Sequence, residues 1–235
     1  MIRGIVVRIM FRQAQHDIFF LNHMSQIYLI SPPKIELKTF SQRLEKVLKT
    51  SLVSVFQLRL KNYPDQEIAK ISRELKKICH ANNCLFLLND SFEIALDVGA
   101  DGVHLGVEDG SIKAARKKSP QNFLIGASCY DSKHLAMEAG EQGADYASFG
   151  AFFSSNTKKS RGNPTVEILE WGSEMLNFPI VAIGGITDQN CSSLVKSGAD
   201  FLAVISYIWD HPSGEIAAVK NLNSRITPNL TQETD

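Results

Sequence analysis

The 235-residue sequence has no net charge, since 25 basic side chains balance 25 acidic ones. Proteins that bind polyanions usually show a basic excess, so the balance argues against nucleic acid while leaving room for one small anion site. No uninterrupted apolar run approaches the roughly 18 residues of a membrane-spanning helix. Cysteine is scarce: the four present include no C-x-x-C pair, which fits a reducing cytoplasm better than a disulfide-stapled secreted domain. Disorder and fibrous repeats are excluded by what remains, a 44% apolar composition with mixed charge. A single large α/β domain fits this length, because α/β barrels reach about 250 residues.

The first 23 residues lack both an unbroken apolar core of about 7–15 residues and a small-residue cleavage site, so they do not read as a secretory signal. Arg3, Arg8 and Arg12 interrupt every apolar run, and the absence of serine disfavours a transit peptide. Residues 1–23 are expected to be an extension outside the fold, with Met24 as a candidate start. A barrel over residues 24–224 and a flexible tail over 225–235 complete the expected organisation; the polar character of the tail begins near Asn221.

Between these ends, strand and helix signals alternate. Short β-rich runs occur at 27–30, 53–58, 85–89, 102–105, 123–127, 146–149, 180–183 and 201–205. They recur about every 25 residues, the size of a βα unit. Helical spacing links Ile68, Ile71, Leu75 and Ile78 after Pro64, and Thr187 is placed to cap a helix ending before Gly198. The tripeptide Gly-Ala-Asp appears at 99–101, 143–145 and 198–200, each time between a helical pattern and a strand. Eight such units predict an α/β fold, a single (β/α)8 TIM barrel, with an open doubly wound sheet as the alternative.

In barrels of this kind reactive groups sit at the carboxyl ends of the strands, and phosphate is often held by the loops after strands seven and eight. The period of two places Gln57, Arg59 and Lys61 on one face of strand 2. Two cations facing a barrel interior are costly unless an anion meets them, although Lys61 is also read as a solvated residue beyond the strand. Asn89 and Asp90 end strand 3, and Asp109 follows strand 4. The two carboxylates suit a shared hard cation such as Mg2+, or else ordinary helix caps. Ser128 ends strand 5. After strand 6, the polar, cationic stretch 150–163 reads as a lid or a solvated loop. Gly184-Gly185 after strand 7 and Ile205-Ser206 after strand 8 form a candidate phosphate cradle.

Taken together, Gln57-x-Arg59-x-Lys61, Asn89-Asp90, the segment Ala100-Asp101-Gly102-Val103-His104-Leu105-Gly106-x-Glu108-Asp109, Thr157-Lys158, Ala182-Ile183-Gly184-Gly185-Ile186 and Ala203-Val204-Ile205-Ser206 resemble the thiamine-phosphate synthase family, in family order over most of the chain. The resemblance implies coupling of a pyrimidine methyl diphosphate to a thiazole ethyl phosphate, giving thiamine phosphate and pyrophosphate with Mg2+ as cofactor. It places Gln57, Arg59, Lys61, Asn89, Ser128 and Lys158 on the pyrimidine diphosphate, with Arg59, Lys61, Ser128 and Lys158 as the catalytic set. Asp90 and Asp109 are implied to hold Mg2+. Ser155, Thr157, Gly185, Ile205 and Ser206 are implied to hold the thiazole phosphate.

The implied partners are small phosphorylated substrates, with no nucleic acid and no membrane; a homo-oligomer is left open, and a cytoplasmic location is expected. Departures from the family pattern fall at Leu60, Val107, Tyr130, Ser154 and Ser155. Tyr130 stands where related thiazole tautomerases resemble one another around a histidine, which favours the synthase over a tautomerase-like barrel. A noncatalytic phosphate-binding barrel is the remaining alternative. His104 reads as an interior histidine, Trp171 and Trp209 as packing residues, and 73–77 as a solvated helix face. Cys79 and Cys84 do not suggest zinc, and Cys129 lacks a histidine partner for nucleophilic work.

Overall fold

A computed structural model describes residues 25–154 and 162–227 of the chain. Eight parallel strands close on themselves in sequence order: β1 Gln26–Ile30, β2 Val53–Leu58, β3 Leu85–Asn89, β4 Gly102–Leu105, β5 Leu124–Tyr130, β6 Tyr146–Gly150, β7 Ile180–Ile183 and β8 Phe201–Val204. Closure is made by β1 on β8, with Tyr28 opposite Ala203. The helices among the described residues are α1 Leu37–Leu48, α2 Asp65–Ala81, α3 Phe92–Asp97, α4 Ile112–Lys118, α5 Lys133–Glu141, α6 Glu167–Met175, α7 Cys191–Lys196, α8 Ser206–Trp209 and α9 Glu215–Ile226. The single (β/α)8 TIM barrel expected from the sequence is the observed architecture. None of these helices is long and apolar enough to cross a membrane.

The two-residue period divides most of the strands between two cores. Ile27, Leu29, Phe56, Leu58, Phe86 and Leu88 pack outward against helix residues such as Leu44, Leu75 and Leu222. Tyr28, Ile30, Val55, Leu87, Leu124, Tyr146, Val181, Phe201 and Ala203 form a second cluster built from strands alone, which fills the barrel. On α2, Ile71 and Leu75 are buried while Arg73 and Lys77 pair with Asp97 and Glu74 on the exposed side. Side-chain caps start several helices: Glu36 accepts from the Lys38 and Thr39 amides, and Ser111 and Ser132 do the same for α4 and α5.

The Gly-Ala-Asp repeats have a common role. Gly99, Gly143 and Gly198 take positive φ values of 62°, 96° and 95°, ending the preceding helices in a conformation that glycine tolerates. Each aspartate then accepts a hydrogen bond from the neighbouring strand: Asp101 from the Phe86 amide at 2.8 Å, Asp145 from Ile125 at 2.8 Å and Asp200 from Ile180 at 2.7 Å. Charge-assisted bonds of this kind stitch β4 to β3, β6 to β5 and β8 to β7 at the amino-terminal end of the barrel.

The structure moves several boundaries. Strand β5 continues through Ser128 to Tyr130, with its register shifting at a bulge beside β6. Helix α7 starts at Cys191 rather than after Thr187, because the Thr187 hydroxyl accepts from the Gln189 amide within a turn. Residues 221–226, expected in a polar tail, are the last turns of α9, where buried Leu222 and Ile226 hold them. The expected extension over 1–23 and the candidate start at Met24 lie outside the described residues.

Candidate active site

At the carboxyl end of β2 and β3 the chain places an amide pair below a charged pair. Gln57 is 2% exposed, and its Nε2 donates to the Asn89 Oδ1 at 2.6 Å. Beyond the end of β2, Lys61 Nζ donates to Asp90 Oδ2 at 2.7 Å. Lys61 lies past the end of the strand with its side chain 44% exposed, and the pairing with Asp90 holds it at the mouth. Asp90 adopts a left-handed φ of 65°, uncommon for a residue with a side chain. Neither Asp90 nor Ser91 caps α3 through its side chain, so the capping explanation for Asp90 does not hold. Arg59 is half-buried, and its backbone amide donates to the Ser31 hydroxyl at 2.8 Å.

Asp109 reaches the same carboxylate from the loop after β4, where its Oδ2 also accepts from the Gly106 amide at 2.8 Å. Burial by itself would raise the Asp90 carboxyl, but the Lys61 ammonium and then Asp109 outweigh it and hold it below its ordinary value. For Asp109 the balance is opposite, since burial and the adjacent Asp90 push its carboxyl up. Two adjacent carboxyls, one of them reluctant to ionise, fit a divalent cation that relieves their repulsion. No cluster of three or more His, Cys, Asp or Glu side chains suited to a metal exists among the described residues. That donor set suits Mg2+, which is commonly held by one or two carboxylates together with water and substrate phosphates.

Across the mouth, Gly184 and Gly185 have φ values of 106° and 61°. A side chain on Gly184 would come within 2.3 Å of the Ala151 Cβ, and one on Gly185 within 2.5 Å of the Ser154 carbonyl oxygen. The amides of Phe152 and Phe153 donate to Ile183 and Gly184, so the loop after β6 lies directly on the glycine pair. Asn190, which the sequence did not single out, secures the turn through a 2.9 Å bond to the Gly185 carbonyl. Ile205 and the exposed Ser206 open α8 beside this turn. Ser155, Thr157 and Lys158 lie outside the described residues.

Inside the mouth, Ser128 is half-buried, and its Oγ lies 2.9 Å from His104 Nε2. His104 is interior, as expected, but it belongs to a polar network with Tyr146 and Tyr28 that no local signal marked. Gly126 makes that network fit: a Cβ there would fall 1.9 Å from the Tyr146 ring. Burial pushes the Cys129 thiol up to about 12, so it is no nucleophile near neutrality. Trp209 packs in the outer core, and its indole also donates to the Ile30 carbonyl. Tyr130 ends β5 half-buried with a left-handed φ of 54°.

A family model described as thiamine monophosphate synthase matches residues 27–208. The thiamine-phosphate synthase of Erythrobacter litoralis is 47% identical over 207 residues, spanning 86% of this chain and 95% of that protein. That of Rhodospirillum centenum is 44% identical over 198 residues, covering 84% of this chain and 96% of its own. Among solved structures, the thiamine phosphate pyrophosphorylase from Pyrococcus furiosus superposes with a TM-score of 0.74 at 33% identity, over 88% of this chain and 98% of that one. A 3-hexulose-6-phosphate synthase structure, with a TM-score of 0.66 but 16% identity, shares the fold alone.

Proposed function

This chain belongs to the thiamine monophosphate synthase family, and on that premise we propose that its mouth transfers a pyrimidinylmethyl group from a diphosphate to a thiazole phosphate, releasing pyrophosphate. The observation that carries this reading is the convergence of the Lys61–Asp90–Asp109 cluster with the Gln57–Asn89 pair.

The cationic side chains of Arg59, Lys61 and Lys158 attract the diphosphate, and Ser128 donates to its oxygens. Breaking the bond between the methylene carbon and the diphosphate oxygen leaves both bonding electrons on pyrophosphate, so donors that meet this growing charge lower the barrier. Gln57 and Asn89, locked to each other, offer their remaining amide groups to the pyrimidine. The thiazole nitrogen then supplies the electron pair for the new bond to the cation-like methylene carbon. Ser155, Thr157, Gly185, Ile205 and Ser206 hold the thiazole phosphate so that this nitrogen faces it. Asp90 and Asp109 would hold Mg2+, whose contribution when bound is further neutralisation of the diphosphate. No side chain is required as a general base.

The deciding experiment mixes purified full-length protein with both substrates and Mg2+ and follows thiamine phosphate and pyrophosphate. Equimolar appearance of the two is expected, and their absence at high protein concentration would defeat the reading.

A further inference from the structure

Tyr28, Tyr146, His104 and Ser128 form one hydrogen-bonded chain from the barrel interior to its mouth. The Tyr28 and Tyr146 hydroxyls are 2.8 Å apart, Tyr146 lies 3.0 Å from His104 Nδ1, and His104 Nε2 lies 2.9 Å from Ser128 Oγ. Each hydroxyl carries one hydrogen, and a neutral imidazole carries one N–H and one bare nitrogen, so the chain can run in either of two senses. In the first, Tyr28 donates to Tyr146, Tyr146 donates to Nδ1, and Nε2–H donates to Ser128. The Ser128 hydrogen is then left for the mouth. In the second, every bond reverses, and the Tyr28 hydrogen is left pointing into the core.

The surroundings of Tyr28 distinguish these senses. Tyr28 is 1% exposed and belongs to an apolar cluster with Ile30, Val55, Phe201 and Ala203. Tyr146 is the one hydrogen-bond partner of its hydroxyl among the described residues. A buried donor with no acceptor forfeits its hydration with nothing in return, whereas the Ser128 hydrogen faces the mouth, where polar groups can meet it. We propose that the buried Tyr28–Tyr146 pair sets the sense of this chain, so that His104 holds its proton on Nε2 and acts as a positioning residue that makes Ser128 a donor to the leaving diphosphate. The inference rests on the reading of Ser128 as a diphosphate-binding residue. A hydroxyl that already accepts a hydrogen bond is also the better donor, because bonds in a chain polarise one another.

The test is nitrogen NMR of the histidine rings in the full-length protein, with the His104 signals assigned by their loss in His104→Phe. Wild type is expected to show a protonated Nε2 and a bare Nδ1. Protonation of Nδ1, alone or together with Nε2, overturns the proposal. In Tyr146→Phe the ring loses the hydroxyl that couples Nδ1 to Tyr28, so the sense is no longer imposed from the buried end and a mixture of ring tautomers is expected; an unchanged ring shows that the tyrosine pair does not set the sense. In kinetics, His104→Phe should lower kcat about tenfold, the scale of one lost hydrogen bond, and leave KM for the thiazole phosphate unchanged. In a Ser128→Ala background the same substitution should cost nothing more. Additive losses overturn the positioning role. Absence of turnover in the wild type defeats the proposed function instead, and the ring measurement is independent of turnover.

Discussion

The Lys61 ammonium sits 2.7 Å from the Asp90 carboxylate, held there by a residue whose backbone is left-handed at φ 65°. Lys61 thus neutralises the very group proposed to hold Mg2+, and it must share that carboxylate with the metal or turn to the diphosphate.

Asp90→Asn and Asp109→Asn keep the shape of each side chain and remove its charge. Each is expected to raise the Mg2+ concentration needed for half-maximal turnover by at least about tenfold, the usual scale for losing a metal-site group, with an unchanged circular dichroism spectrum. Unchanged rates at limiting Mg2+ would remove these residues from the site.

The opposite displacements of the two carboxyls predict how Mg2+ binding responds to acid. Asp90, held below its ordinary value, stays ionised, whereas Asp109, pushed up by burial and by Asp90, keeps its proton into a range where a free aspartate has lost it. Metal binding must displace that proton, so Mg2+ affinity is expected to fall as the pH drops through the raised Asp109 value and to level off above it. Calorimetric titration at several pH values, repeated with Asp109→Asn, checks this. The slope should flatten in the variant.

In the proposed arrangement Arg59 and Gly185 serve different substrates. Arg59→Ala is expected to raise KM for the pyrimidine diphosphate about tenfold or more, the scale of losing a charged contact, and to spare the thiazole phosphate. Gly185→Val should do the reverse, because its side chain would collide with the Ser154 carbonyl at a backbone φ of 61°. Direct binding titrations with each substrate separate the two; equal losses for both substrates in Arg59→Ala would contradict its assignment.

Gly126→Ala places a methyl group against the Tyr146 ring and is expected to destabilise the barrel by about 1–3 kcal/mol, the range for overpacking a core. In a Tyr146→Ala background the same change should cost much less, since neighbours in contact are not additive. Denaturant midpoints of the four proteins measure that coupling.

Much of this protein follows from the sequence alone. The spacing of β-rich runs at about 25 residues and the three Gly-Ala-Asp tripeptides determine a βα repeat, because strand and helix periods and helix-ending glycines are local properties. The ordered motifs likewise marked Gln57, Asn89, Asp90 and Asp109 before any contact was visible. The tertiary structure alone decided which of these residues meet, since residues 61, 90 and 109 come from three different loops and their pairing depends on how the strands tilt and close. It also decided the partners of Asp101, Asp145 and Asp200 and the need for Gly126, which faces Tyr146 across a strand pair. The Tyr28–Tyr146–His104–Ser128 chain has the same origin: its members lie on four strands, and only closure of the barrel takes them out of water together and makes the sense of each hydrogen bond matter.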